Sequence, residues 1–230
     1  MGWWKLGEYL SFDCYGTLID WESGILGYLR PLLRNKECEV PDAQILSRYS
    51  EYEPRQQQAP YRRYREVLAS VVRDFARDLG FHASTQEAEG LADSIACWEP
   101  FPDTVPALSR LKSRYKLAIL SNIDDDLFAF TAPKLGVEFD CVVTAQQAQS
   151  YKPSSRNFEL LLERLHIEKG HLRHVAESLY HDVAPARELG IATVWVNRRQ
   201  GRTAAASKLA ATVPDLEVPT VRALADLLVG

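Results

Sequence analysis

Five short apolar runs, each ending in or beside a polar residue, alternate with helix-patterned segments along most of the 230-residue chain. They are "EYLSFD" (8–13), "KLAILSN" (116–122), "FDCVVTA" (139–145), "RHVAES" (173–178) and "ATVWVN" (192–197). Runs this short, rich in β-branched and aromatic residues and apolar on both faces, have the pattern of strands covered from two sides, which is the habit of parallel sheets. Between and after them, "DTVPALSRLKSRY" (103–115), "DDLFAFTAPKLG" (125–136), "SRNFELLLERLH" (155–166), "APARELG" (184–190) and "TVRALADLLV" (220–229) carry helical spacing, with Gly136 and Gly190 placed as C-terminal caps. Strand and helix in alternation predict a right-handed, doubly wound, Rossmann-like α/β fold.

Residues 21 to about 98 break that rhythm. Apolar residues there recur at three- and four-residue spacing through "ESGILGYLRPLL", "PDAQILSRYSEYEPRQQQ", "YRRYREVLASVVRDFARDLG" and "STQEAEGLADSIACW", and no strand pattern interrupts them. The economical organisation is an α/β core formed by residues 1–20 and 99–230, with a helical cap, residues 21–98, inserted after the first strand. Pro100 and Pro102 in "WEPFPDT" mark the return to the core.

Composition narrows the function classes. The chain is 46% hydrophobic and 25% charged with a formal net charge of −4, so no basic surplus argues for nucleic acid. It has no apolar run of membrane-spanning length, and "MGWWKLGEYLSFD" lacks a signal core with a small-residue cleavage site. The four cysteines, Cys14, Cys38, Cys97 and Cys141, are scattered without a CxxC pair, which suits reduced thiols in a cytoplasm. Cys14 beside Asp13 reads either as a nucleophile or as a small packing residue at a strand end.

In an open α/β sheet, ligands sit outside the carboxyl ends of the strands. The first predicted strand ends at Asp13, the second at Ser121-Asn122, the loop after the third carries Lys152, and the fourth ends at Glu177-Ser178 with Asp182 just beyond. Single polar residues at such turns are ordinary caps. Four such sets converging on one crevice, with a lysine among carboxylates, describe a catalytic site.

The order Asp13-x-Tyr15-Gly16-Thr17, Ser121-Asn122, Lys152-Pro153, Glu177-Ser178-Leu179-x-x-Asp182 resembles that of the haloacid dehalogenase superfamily. "DCYGTLIDWESGI" and "LAILSNID" look most like its type II 2-haloacid dehalogenase branch, and the helical insert is similar to that branch's cap. The resemblance implies that Asp13 is a nucleophile that forms an ester later cleaved by water, that Lys152 keeps it ionised, and that Ser121 and Asn122 donate to a substrate carboxylate or to the ester oxygen. Thr17 would donate to the other oxygen of Asp13 or cap the next turn. Asp182, with Glu177 as a second candidate, would orient or activate water. The phosphatases of the superfamily have a second aspartate where Tyr15 stands here; a departing halide needs no proton, so a tyrosine there suits a dehalogenase.

Against that branch, Glu177 stands where a serine is usual, Leu179 where an asparagine is usual, and Phe158 where a tyrosine is usual. The branch's cap also supplies an arginine to the leaving halide, for which Arg48, Arg62 and Arg63 are the candidates, with Tyr64 as a pocket wall. The expected activity is hydrolytic dehalogenation of a short 2-haloacid without a cofactor. Two alternatives stay open: an Mg²⁺-dependent phosphatase holding its metal with Asp13, the Tyr15 carbonyl, Glu177 and Asp182, or a non-catalytic binding member of the fold. The expected partner is a small-molecule substrate; oligomeric state, including a homodimer, is left open.

Overall fold

The computed structural model describes residues 8–58, 60–199 and 212–230. The first seven residues of the expected core segment, and residues 200–211, lie outside that set.

The strands are β1 (Tyr9–Phe12), β2 (Lys116–Ser121), β3 (Cys141–Thr144), β4 (Leu172–Ala176), β5 (Ala192–Val196) and β6 (Leu216–Val218). They form one sheet in the order β3-β2-β1-β4-β5-β6, and every pairing is parallel. β1 lies between β2 and β4, with Phe12 in register with Ile119 and Val175. All residues of β1 and β4 are buried, including the polar Ser11, Arg173 and His174 among their apolar neighbours. β6 escapes sequence reading because three residues are too few to show a period.

The helices are α1 (Trp21–Asn35), α2 (Asp42–Gln56), α3 (Tyr64–Leu79), α4 (Thr85–Asp93), α5 (Thr104–Lys112), α6 (Asp125–Thr131), α7 (Ala145–Ala148), α8 (Ser155–Leu165), α9 (Ala184–Glu188) and α10 (Val221–Val229). α5 stops earlier than its pattern predicts, because the Arg114 and Tyr115 N–H groups fold back onto the Leu111 carbonyl and feed the chain into β2. The strand expected to run to residue 145 ends at Thr144, whose side chain accepts from the Gln147 N–H and starts α7. A wide helical turn at Leu179–Val183 opens the way into α9.

Both sheet faces are covered. Leu10, Phe12, Val175, Val194 and Leu224 belong to one apolar cluster, whereas Tyr9, Leu120, Phe158, Leu161 and Leu172 belong to another. The first cluster continues without a break into the insert through Ile25, Tyr49, Val67 and Phe75.

Helices α1–α4 and a tight turn at Ser94–Cys97 occupy the 21–98 stretch. Its two connections to the sheet run side by side. The Asp20 N–H donates to the Glu99 carbonyl, the Phe101 N–H donates to the Leu18 carbonyl, and Ile19 bridges Pro100 antiparallel. A second tie comes from the core: buried Asp124, just beyond β2, accepts from the Tyr64 and Arg65 N–H groups at 3.0 Å each. Asp124 thus serves the orphan donors at the start of α3, doing for a helix sixty residues earlier what a local cap does. Among the described residues no helix is long and apolar enough to cross a membrane.

Candidate active site

β1 ends in buried Asp13, whose N–H still joins the ladder by donating to the Val175 carbonyl at 3.0 Å. The chain must turn sharply there. Gly16 supplies φ +97°, and a β-carbon on it would stand 3.0 Å from the Trp21 indole nitrogen. The turn returns Thr17 beneath the carboxylate.

Three cationic or neutral donors fix the Asp13–Asp182 pair. Lys152 Nζ, buried, donates to Asp13 Oδ1 at 2.8 Å, to Asp182 Oδ1 at 2.6 Å and to the Leu120 carbonyl at 2.8 Å, which uses all its protons. Thr17 Oγ1 donates to Asp13 Oδ2 at 2.8 Å and accepts from the Glu177 N–H at 2.9 Å. His174 Nε2 lies 2.9 Å from Asp182 Oδ1, and its Nδ1 lies 2.9 Å from the hydroxyl of Ser11, its register partner on β1.

The two carboxyls differ. Burial raises Asp13 above the usual carboxylate range; Lys152 opposes this, and the Asp182 charge adds to it. Burial also works against Asp182, but Lys152 and His174 together outweigh it and hold Asp182 at about 2. Burial lowers Lys152, and the two aspartates more than restore it, so its pKa ends above the ordinary lysine value. As pH falls, Asp13 therefore takes the first proton of the pair.

These groups open onto a cavity of about 50 Å³ lined by Asp13, Tyr15, Trp21, Glu53, Tyr64, Ser121, Asn122, Lys152, Glu177, Ser178, His181 and Asp182. Ligand sites for drug-sized molecules are several-fold larger, ~300–1,000 Å³, so a space this small admits only a short chain. Ser121 Oγ in its wall is buried and has no hydrogen-bond partner. A buried hydroxyl left in that condition is costly unless a substrate atom completes it.

The family model for haloacid dehalogenase-like hydrolases matches residues 9–190. This chain belongs to that family. An (S)-2-haloacid dehalogenase from Pseudomonas sp. (strain YL) is 28% identical over 222 residues, covering 95% of this chain and 93% of its own. Haloacetate dehalogenase H-2 from Moraxella sp. (strain B) is 27% identical over 231 residues, covering 96% and 97%. In fold, the structure of a defluorinating L-2-haloacid dehalogenase superposes with a TM-score of 0.82 at 20% identity, over 96% of this chain and 95% of that one. The L-2-haloacid dehalogenase from Xanthobacter autotrophicus, solved with chloropropionic acid covalently bound, superposes at 0.81 and 20% identity, over 97% and 99%.

Within this hydrolase the expected site residues divide. Asp13, Tyr15, Ser121, Asn122, Lys152, Glu177, Asp182 and Tyr64 line one cavity, and Thr17 lies directly behind Asp13. Asn122 has a different task from the one expected: its side chain donates to the Lys152 carbonyl at 3.1 Å and accepts from the Lys152 N–H at 2.7 Å, clamping the lysine's backbone. The Tyr15 hydroxyl pairs with Thr131 Oγ1 at 2.8 Å while its ring packs edge-on to Trp98. Cys14 is fully buried, and burial pushes its thiol well above the ordinary range, which leaves no thiolate nucleophile.

The cap arginines are a correction. Arg48 lies in a groove with Gln44, Ser47, Glu51, Tyr52, Arg55 and Asp78 rather than in the Asp13 cavity. Arg62 donates to the Gln56 carbonyl and side chain at 2.7 Å each. Arg63 pairs with Asp126 at 2.7 Å and with Asp124 at 3.6 Å. None of the three lines the Asp13 cavity, and Arg62 and Arg63 are held by these oxygens.

Glu177 is balanced by Arg199, Nε to Oε1 at 3.2 Å, and Arg199 also reaches Glu22 of α1 at 3.2 Å. Arg199 and His174 were both missed from the sequence. His174 did leave a signal, a polar residue inside a strand buried on both faces; Arg199, just beyond β5, left none. The three carboxylates named for Mg²⁺ are thus already paired, Asp13 with Lys152 and Thr17, Asp182 with Lys152 and His174, and Glu177 with Arg199. Among the described residues no group of three or more His, Cys, Asp or Glu side chains is disposed to hold a metal ion. This donor set does not fit Mg²⁺.

Proposed function

We propose that the protein is a 2-haloacid dehalogenase that works through an ester on Asp13 and needs no metal. The observation that carries the proposal is the shared lysine: Lys152 holds Asp13 and Asp182 together at the carboxyl edge of the sheet, with Thr17 on the other Asp13 oxygen. A carboxylate fixed in this way is a positioned nucleophile. The names of the relatives make (S)-2-haloacids the substrates to try first.

An Asp13 oxygen attacks carbon 2, the carbon–halogen bond breaks, and the halide leaves with the electron pair. Ser121 Oγ, without a protein partner, donates to the substrate carboxylate or to the ester carbonyl. Water then attacks the ester carbon of Asp13 and gives its proton to Asp182, whose low pKa keeps it ionised and ready to accept. As the tetrahedral species collapses, the bond from the Asp13 carboxyl carbon to the substrate oxygen breaks, the departing alkoxide takes the proton back from Asp182, and the hydroxyacid leaves with Asp13 restored and carrying one oxygen from water. Residues 21–98 act as the cap domain that closes this chemistry from solvent, and residues 1–20 with 99–230 as the core domain. Tyr15 takes no part in proton transfer: its hydroxyl is occupied by Thr131, and burial pushes it well above the ordinary phenol range.

The test is halide release from (S)-2-chloropropionate by EDTA-treated enzyme, with a single turnover in ¹⁸O-water. The expected result is metal-independent release with label entering Asp13. Phosphate release that needs Mg²⁺, without halide release, would instead establish the phosphatase alternative.

A further inference from the structure

His174 is an unusual residue for its place. It lies in the middle of β4, a strand buried along its whole length, and is itself fully buried. Its register partner on β1 is Ser11. Side chains alternate along a strand, so Ser11 shares a face of β1 with Tyr9 and Asp13. The ring's Nδ1 lies 2.9 Å from Ser11 Oγ, and its Nε2 lies 2.9 Å from Asp182 Oδ1. Phe158 packs edge-on against the ring, with centroids 5.0 Å apart, and steadies its plane.

The directions of these hydrogen bonds follow from what each partner can give. An ionised carboxylate has no proton to offer, so Nε2 carries one and donates to Asp182. Nδ1 of the neutral ring then accepts from the Ser11 hydroxyl, which selects the tautomer that aims a proton at Asp182.

On Asp182 both donors meet the same oxygen. Lys152 Nζ and His174 Nε2 reach Oδ1 at 2.6 and 2.9 Å. Among the described residues no donor reaches Oδ2, and Oδ2 is not one of the buried side-chain atoms closed off without a partner. Asp182 lines the cavity, so Oδ2 is the oxygen it offers to water there. Lys152 is a changing anchor: it also holds Asp13 at 2.8 Å, and esterification of Asp13 removes the negative charge on that side. His174 makes no contact with Asp13, so its hold on Oδ1 outlasts the change.

We propose that His174, set by Ser11, is a positioning residue for the second half of the reaction, a role that rests on Asp13 forming an ester: by holding Oδ1 it presents Oδ2 of Asp182 to the attacking water. The water oxygen bonds to the ester carbon while its proton passes to Oδ2, and His174 itself exchanges no proton. Orientation and basicity pull in opposite directions here. His174 helps to hold Asp182 at about 2 and so makes it a weaker base. Removing His174 therefore slows hydrolysis if it positions Asp182, and speeds hydrolysis if it acts on basicity alone.

The variants are His174→Leu and His174→Gln, followed by pre-steady-state halide release from (S)-2-chloropropionate and by mass spectrometry of the quenched enzyme. In His174→Leu the first halide should appear within about threefold of the wild-type rate, and steady turnover should fall about thirtyfold or more, with ester accumulating on Asp13. The amplitude of the burst counts folded sites, so lost stability lowers the amplitude and does not imitate a slow second step. His174→Gln, whose amide nitrogen can take the place of Nε2, should bring hydrolysis back to within about fivefold of wild type. Hydrolysis per site that is unchanged or faster in His174→Leu, or both steps slowed alike, would overturn the role. If the wild type releases no halide and forms no ester, the Asp13 reading has failed, and ¹⁵N NMR of the histidine rings decides the arrangement alone. A ring protonated at Nε2, lost in His174→Gln and shifted in Ser11→Ala and Asp182→Asn, sustains the hold on Asp182; a ring protonated at Nδ1 only removes it.

Discussion

Replacing Lys152 by methionine keeps the length of a buried side chain and removes its charge. The wild-type ammonium sits at 2.8 and 2.6 Å from two buried carboxylates. The depression of Asp182 from 3.8 to about 2 by itself corresponds to about 2 kcal/mol of stability at neutral pH. Taking one partner from a buried ion pair costs more, about 3–5 kcal/mol, because the remaining charge stays desolvated. In a chain of this length each kcal/mol moves Tm by about 2–4 °C, so Lys152→Met should lose between about 6 and about 20 °C at pH 7. The sign of the pH dependence follows from the shift. A carboxyl with a lowered folded pKa stabilises the fold above its unfolded value and loses that contribution as pH falls through the folded one. For Asp182 the window is therefore about 4 down to about 2. The variant's Tm deficit should be full at pH 7 and shrink toward pH 3, where both of its buried carboxyls are neutral. Calorimetric scans of both proteins at pH 7, 5, 4 and 3, with Lys152→Met/Asp182→Asn as the partner-deleted control, provide the measurement. A deficit of equal size at pH 7 and pH 3, or no recovery in the double variant, would refute the electrostatic account and leave packing as the cause.

Ser121→Ala should lower kcat/KM for a haloacid by about ten- to a hundredfold, the worth of about 1.5–3 kcal/mol for a hydrogen bond to a charged group. It should leave Tm unchanged, since the hydroxyl has no protein partner to lose; a fall in Tm with normal kinetics would contradict its assignment to substrate. Asp124→Ala strips the start of α3 of its acceptor and should cost at least about 1–2 kcal/mol, seen as faster amide exchange at Tyr64 and Arg65. Because Asp13 is raised by burial, the acid limb of kcat/KM should fall above pH 3.8, activity being lost as Asp13 gains its proton. A limb at or below that value would show that Lys152 outweighs burial at the nucleophile.

Much of the architecture was legible because it depends on local pattern. A strand covered on both faces is mostly apolar and carries a polar residue only where that residue finds a partner, so its apolar run and the point where the run ends appear in the sequence. Hence β1 through β5, and the polar residues Asp13, Ser121 and Glu177 at their carboxyl ends, were visible before any coordinate. The insert's helices were visible for the same reason, at a period of 3.6 in place of unbroken runs. The parallel sheet then brings those strand ends to one edge, which is why Asp13, Lys152 and Asp182 meet although 139 and 30 residues separate the lysine from the two aspartates.

What the pattern does not contain is the choice of partner made by long charged side chains. Periodicity places Arg62 and Arg63 near the entrance to α3, but whether an arginine turns to a cavity or to an outer carboxylate depends on how the helix is rolled against the sheet. Here Gln56, Asp124 and Asp126 are within reach, and the guanidinium groups take the nearer oxygens. By the same logic Glu177 finds Arg199, His174 pairs with Asp182, and Glu53 comes to line the Asp13 cavity from a helix that a sequence shows only as half buried. The sequence by itself determined the sheet, the insert and the catalytic edge, since each follows from which short segments must exclude water. Only the tertiary structure decided which charged side chains pair around Asp13, because electrostatic partners are set by distance in space and not by spacing along the chain.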